Sequence, residues 1–356
     1  MHPSFVECVV SSEKTLNTGL PLRPIEPDFA PTLRGVLEKQ EIAQRIARDA
    51  IRDGVTDVVF VGCGGSYSSS IHAATFLEAR STRLTIRNIN AAEFQALPPA
   101  RLGPKMLVVA SSHSGGTPET VAAAKFARER GARLVAVSRD DDNPLVNTSH
   151  YSLSYGSERT VTSSKQILLA QLGQALLEET GEPVDPAIRT AFEVLPAALL
   201  AAQEQADPKL AGIARQLSAE RPTYVVSSGP NMGAAFSLSL CYFMEMQWMN
   251  ASNIDAGDYL HGPFEMLTDN ASLIVFQGED ATRPLTERVI RFAERHGTHV
   301  FVIDSREFPL TGVPEHLRGE ISAIALGVLG TRLADHREAA TGHSLDERRY
   351  MHKVEY

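Results

Sequence analysis

The sequence predicts an α/β protein built from two copies of one unit, each a parallel sheet flanked by helices. Two observations carry this expectation. Short continuous apolar runs alternate with segments of helical period, the pattern of strands buried on both faces. The segment LVVASSHSGGTPETVAAAKFARERGARLVAVSRD, from Leu107, also lies without a gap on LIVFQGEDATRPLTERVIRFAERHGTHVFVIDSR, from Leu273. The same separation of 166 residues relates Val58 to Tyr224, where one strand empties into GCGGS and the other into SSGPN. Any two strand–helix–strand units share some of this pattern, but a constant offset across two separate motifs favours duplication.

Residues 1 to about 30 are proline-rich and aperiodic and read as an arm. Helical spacing then runs from Leu33 through Val36, Leu37, Ile42, Ile46 and Ile51 to a stop at Gly54. Strand-type runs follow at 58–61, 84–86 and 106–110, with a fourth at 134–137 after the helix that Thr117-Pro118-Glu119 opens. A helical stretch with no strand in it, roughly 162–219, separates the halves. The expected partition is an arm over 1–34, a first domain over 35–190, a second over 191–340 and a tail over 341–356.

Apolar residues at 43% and charged residues at 22% are ordinary for a globular chain of 356 residues, long enough for two domains. A formal charge of −9 with no basic run argues against nucleic acid as a partner. Cys8, Cys63 and Cys241 are too scattered for a disulfide framework or a cysteine zinc site, and they fit a reducing cytoplasm. No signal peptide and no apolar stretch of membrane-spanning length is evident, so a soluble cytoplasmic protein without a membrane partner is expected. His296, His299, His336 and His343 form no i, i+4 ligand pair and read as surface residues, so neither a metal nor a cofactor is implied.

The stretch SSHSGGTPET, residues 111–120, carries the first functional signal. Thr117-Pro118-Glu119 is a helix start with a hydroxyl N-cap, proline at the first helical position and an acid in the first turn. Gly115 and Gly116 let backbone N–H groups approach a ligand, and Ser112, Ser114 and Thr117 add hydroxyl donors at a helix N-terminus. That arrangement suits a phosphate, although a serine-rich capped turn without a ligand has the same composition. It is neither GxxxxGK[ST] nor GxGxxG, so it gives no support to a nucleotide. In the second copy His113, Ser112, Ser114 and Thr117 fall on Glu279, Gly278, Asp280 and Arg283, and two carboxylates would repel an anion. One half is expected to bind phosphate while the other keeps the fold.

The second signal is CYFMEMQWMNASNIDAGDYLHGPFE, from Cys241. Glu245 stands among Phe243, Met244, Met246 and Trp248, where desolvation would raise its pKa toward that of a proton shuttle, unless it lies on an exposed stripe. His261 precedes Gly262-Pro263, which presents the imidazole from a turn.

A strand ending in GxGxS, a second ending in SxSGxTxxT, and a later HGP together resemble the sugar isomerase (SIS) domain family. The likeness covers roughly residues 35–356 and is similar to its two-domain members, above all the fructosamine-6-phosphate deglycases, and also to the isomerase half of glucosamine-6-phosphate synthase. It implies two duplicated SIS domains, each a flavodoxin-like three-layer unit. It places Ser112, Ser114 and Thr117, with His113 beside them, on the phosphate, and Gly65 and Ser66 on the sugar. The segment E158-RTVTSSK165 is similar to one whose serine, here Ser163 with Val161 nearby, closes over the substrate. By the same resemblance Glu245 is the enolisation base and His261 opens the sugar ring, reaching the site from the neighbouring subunit of a homodimer or higher oligomer. Lys353, in the tail ERRYMHKVEY, is a substrate clamp or ring-opening partner, unless that tail is simply a mobile charged end.

The reaction so implied cleaves a 6-phosphorylated ketosamine to glucose 6-phosphate and a free amino acid. Two alternatives stand beside it. An isomerase or aminotransferase acting on fructose 6-phosphate would want the synthase's glutaminase domain, for which this chain has no room, and its lysine one turn before the glutamate, where this chain has Tyr242. A non-catalytic sugar-phosphate sensor would want a DNA- or partner-binding module, and no basic helix-turn-helix is seen.

Overall fold

A computed structural model describes residues 19–351 and 353–355. Nine strands form two parallel sheets. The first has the order β2-β1-β3-β4-β5, from β1 (Asp57–Gly62), β2 (Thr85–Asn90), β3 (Met106–Ser111), β4 (Arg133–Ser138) and β5 (Tyr151–Ser154). The second has the order β7-β6-β8-β9, from β6 (Thr223–Ser227), β7 (Ala251–Asp255), β8 (Ser272–Gln277) and β9 (Val300–Asp304). β1, β3 and β8 are buried along their whole length, as their continuous apolar sequences demand.

The duplication is visible residue by residue. Asp57 of β1 pairs with Thr85 and Met106, and Thr223 of β6 pairs with Ala251 and Ser272, so all three strand starts are 166 residues apart. β7, reading ASNID, is an edge strand that no apolar run announces; its register copies that of β2. Among the described residues the second sheet has no counterpart of β5.

Alternate side chains of each central strand enter different cores, the consequence of a period of two. Val59 and Val61 of β1 pack with Phe94, Ala123 and Ala127 on the outer face of the first sheet. Val58 and Phe60 face the other way, into a core shared with Ile274, Phe276 and Ile303 of the second sheet. That shared core is filled by Thr162–Thr180, Ala187–Gln216 and Arg318–Thr341, through residues such as Leu172, Leu199 and Leu329. The first two answer the strandless 162–219 stretch, broken where Gly181 takes φ +77° and prolines follow at 183 and 186. The helix expected from Leu33 begins earlier, as Phe29–Leu37, and restarts as Gln40–Arg52. Phe29 and Leu33 bury together on the shared core, so the helical register starts inside the proline-rich segment. No helix of the described residues is long and apolar enough to cross a membrane.

Candidate active site

The side on which strands are added reverses at β1: from β1 the chain first goes to β2 on one side, then crosses to β3 on the other. In a parallel sheet the loops after two such strands splay apart and leave a crevice at their carboxyl ends. The two motifs singled out by sequence, GCGGS after β1 and SSHSGGTP after β3, are the walls of that crevice.

The serine-rich wall is braced by its own hydroxyls. Thr117 stands at the N-cap of Pro118–Glu129, but its hydroxyl does not cap that helix; it bonds Ser112 Oγ at 2.8 Å. Ser114 Oγ accepts from Gly116 N–H at 3.1 Å, so the three hydroxyls brace the loop itself. Gly115 has φ +66°, and a Cβ there would collide with the Asn143 side chain, which is held by Ser138 Oγ at 3.1 Å. His113 turns from the loop toward Tyr155, with Nδ1 2.7 Å from the phenol oxygen. Burial, helped by the charges of Lys165 and Arg139, lowers the imidazole to about 4. It is therefore neutral near pH 7, a hydrogen-bonding group and not a countercharge.

The corresponding crevice of the second sheet is stitched shut. Asn231 Nδ2 donates to Asp280 Oδ2 at 2.6 Å, and Ser228 Oγ lies 2.8 Å from Thr282 Oγ1 across the two loops. Asp280 Oδ1 accepts from Thr282 N–H at 2.9 Å, so a carboxylate of the chain sits where a loop N–H would meet an anion. Glu279 pairs with Arg318 at 2.7 Å, and Arg283 with Asp304 at 2.6 Å. Asp280 does more than repel a ligand, since its carboxylate takes up a loop N–H, while Glu279 is held by Arg318 and Ser305.

A ladder of small residues brings the second unit to the open crevice. Gly233, Ser237 and Cys241 are four residues apart, on Met232–Phe236 and the π-helix Ser237–Met246 that continues it. They lie against the Gly65–Arg80 helix. A Cβ at Gly233 would strike the Ser68 carbonyl oxygen, Ser237 Oγ meets Ser68 Oγ at 2.6 Å, and Cys241 Sγ is 3.5 Å from the position of a Cβ on Gly65. The next rung is Glu245. Cys241 feels both Glu245 and Lys165, and its thiol is pushed up to about 12, chiefly by burial.

Glu245 is not sealed among its apolar neighbours. Its side chain is 25% exposed and pairs with Arg348 at 3.0 Å, while Met244 points outward. Arg348 belongs to the tail, which docks on the end of the π-helix: Gln247 donates to His343 O at 2.8 Å, and Trp248 is flanked by the His343 ring and the Arg349 guanidinium. Lys353 is exposed and turns back to the Arg348 carbonyl, while Arg348 is a tail residue that pairs with Glu245. His261 follows Ala256–Tyr259, is exposed, and makes no side-chain hydrogen bond or ion pair among the described residues. Val161 precedes Thr162–Thr180 and packs on the shared core, and Ser163 is buried in that helix's first turn. His336 is no surface residue: it is buried and bonds Asp207 at 2.8 Å. His343 is half-buried under the tail.

Sequence reasoning passed over Lys165, quoted only as the end of TVTSSK. Its side chain is buried, and Nζ donates to Ser66 Oγ at 2.8 Å. Nothing in a lone lysine after two serines marks it; the signal was its place in a first turn followed by Gln-Ile-Leu-Leu-Ala, an otherwise buried helix face.

Two parallel units, one with an open hydroxyl-lined crevice and the other offering a carboxylate across a small-residue seam, define a duplicated α/β domain protein of sugar-isomerase type. The chain belongs to the SIS-domain family. The SIS domain model matches residues 55–177. Fructosamine deglycase FrlB of Bacillus subtilis (strain 168) is 33% identical over 88% of this chain and 96% of its own length. Fructoselysine 6-phosphate deglycase of Escherichia coli (strain K12) is 23% identical over 91% of this chain and 95% of its own. A Bacillus subtilis crystal structure provisionally assigned as a phosphosugar isomerase superposes with a TM-score of 0.85 at 30% identity, covering 92% of this chain and all of that one.

Proposed function

We propose that the protein is a deglycase that cleaves a 6-phosphorylated ketosamine into glucose 6-phosphate and a free amine, by proton transfer between C1 and C2 followed by hydrolysis. The observation that carries this reading is the pairing of an open hydroxyl-lined crevice on the first sheet with Glu245, brought to it by the Gly233–Ser237–Cys241 ladder of the second. The relatives' names support the same substrate class.

In this reading the phosphate docks on the loop of Ser112, Ser114 and Thr117, and Gly65 and Ser66 face the sugar carbons. Glu245 takes a proton from C1, the carbon bearing the amine, while the C2 carbonyl oxygen takes up another, giving the enaminol. Glu245 returns its proton to C2 as the amine N–H gives one up, which leaves an imine at C1. Water adds to the imine carbon, and collapse expels the amine. The carboxylate is a base in one half of the transfer and an acid in the other, as a group exchanging one proton between adjacent carbons must be. His261, exposed on its own chain, opens the sugar ring in the site of a partner copy of a homodimer.

The test is a panel of phosphorylated Amadori compounds incubated with the protein, with free amino acid and glucose 6-phosphate read by mass spectrometry. Release of both in equal amounts is expected. Interconversion of fructose 6-phosphate with no amine released, or binding of the panel without turnover, would overturn the reading.

A further inference from the structure

Lys165 is 2% exposed, in the first turn of Thr162–Thr180, and among the described residues its one side-chain hydrogen bond is that to Ser66 Oγ at 2.8 Å. Among the described residues no carboxylate lies within ion-pair distance of its ammonium. The groups around it come from several elements. Tyr155, at the end of β5, lies with its ring centroid 5.9 Å from Nζ. His113 faces it from the loop after β3, with Arg139 and Glu158 paired to each other beyond. The π-helix contributes Cys241, Tyr242, which is held by Thr331 and Thr162, and then Glu245, which is paired with Arg348 of the tail.

A cation so placed has lost its water and has no anion in exchange, which is costly unless an anion visits. An ammonium can only donate, so Ser66 Oγ must accept from it and turn its own hydroxyl hydrogen elsewhere. Ser66 is the last residue of GCGGS and the second of the Gly65–Arg80 helix, on the crevice, and the crevice is where that hydrogen is wanted.

We propose that Lys165 is a positioning residue for the phosphosugar: in its ammonium form it fixes Ser66 as a hydrogen-bond donor toward the substrate and provides the positive charge that the anion loop itself lacks. This rests on the phosphosugar reading above. It makes binding a protonation-linked event. Burial lowers Lys165 to about 8 in the free protein, and a nearby dianion raises it again. Below pH 8 the ammonium is already present and binding takes up no proton. Above pH 8 binding must draw one in, so affinity falls as pH rises. A phosphate monoester, with a second pKa near 6, is dianionic throughout this range. His113 at about 4 and Cys241 and Tyr242 at about 12 titrate outside it, and burial raises Tyr155 beyond it too.

Isothermal titration of the full chain with glucose 6-phosphate from pH 7 to 9.5, in buffers of different ionisation enthalpy, tests this. The wild type is expected to take up about half a proton near pH 8.5, with affinity dropping by about tenfold in all as pH rises. Lys165→Met should bind about tenfold more weakly at pH 7, with a flat pH profile. Adding Ser66→Ala to it should cost little more, because the two act as a unit. Wild-type affinity that is independent of pH with no proton taken up, a result that needs no variant to fold, would overturn the inference while leaving the phosphosugar reading intact. Proton uptake that survives in Lys165→Met would overturn it as well. A wild type that binds no glucose 6-phosphate at any pH overturns the phosphosugar reading and this inference together.

Discussion

At the scale of single residues, the proposed chemistry and the proposed anchoring fall on different side chains and can be separated. Glu245→Gln keeps shape and a hydrogen-bonding oxygen but removes the base. Turnover of the phosphorylated ketosamine should fall by about 10²- to 10⁴-fold, the usual worth of a positioned proton shuttle, with glucose 6-phosphate affinity by calorimetry nearly unchanged. Near-normal turnover in that variant would remove Glu245 from the mechanism. Gly115 makes the converse case. It combines φ +66° with a Cβ position already occupied by Asn143, so Gly115→Ala strains the loop by about 1–3 kcal/mol. The expected result is a raised KM for the phosphorylated substrate with a smaller effect on kcat.

At the scale of elements, the small-residue ladder decides whether the site exists. Gly233, Ser237 and Cys241 let the second unit's helix approach the Gly65–Arg80 helix so closely that the Ser68 carbonyl lies where a side chain at 233 would be. Gly233→Val should destabilise the fold by about 1–3 kcal/mol, the range for overpacking a filled contact, and displace Glu245 from the crevice. A lowered Tm together with a loss of activity larger than the unfolded fraction explains is the signature to look for. Gly35, in Phe29–Leu37, has nothing within 4 Å of an added Cβ. Gly35→Ala should therefore raise stability by about 0.5–1 kcal/mol with activity intact.

At the scale of the whole molecule, the first and last described segments meet near Glu245. Arg23 pairs with Glu338 of the last helix and, at 2.8 Å, with Asp346 of the tail, while Arg348 of the same tail pairs with Glu245. Trp248, the single tryptophan, lies under His343 and Arg349. Ending the chain after Gly342 should expose the indole, shift its emission to the red and depress turnover. Emission identical to the full chain would show that the tail does not rest there in solution. His261 gives a second prediction at this scale. If it serves a partner's site, co-expressed Glu245→Gln and His261→Ala chains should recover about a quarter of wild-type activity, because half of the dimers are mixed and each has one intact site. Recovery of nothing would place both residues in the same chain's site.

The sequence by itself determined the two parallel sheets, their repeat of 166 residues and the contrast between a hydroxyl-rich loop after β3 and an acidic one after β8. These are legible because strand burial is written in local apolar runs, and because loop composition is read directly from adjacent positions. It also singled out Glu245, though for a reason the structure changed: the carboxylate meets solvent and Arg348, not an apolar cage. The tertiary structure alone decided which groups meet across the chain. The Ser68–Ser237 seam spans 169 residues, Lys165 reaches Ser66 over 99, and Arg348 closes on Glu245 from the far end. Such contacts leave no periodicity behind. A buried lysine and an exposed one look alike in a sequence, and only the packing of several elements around Lys165 removes its water and its choice of partner.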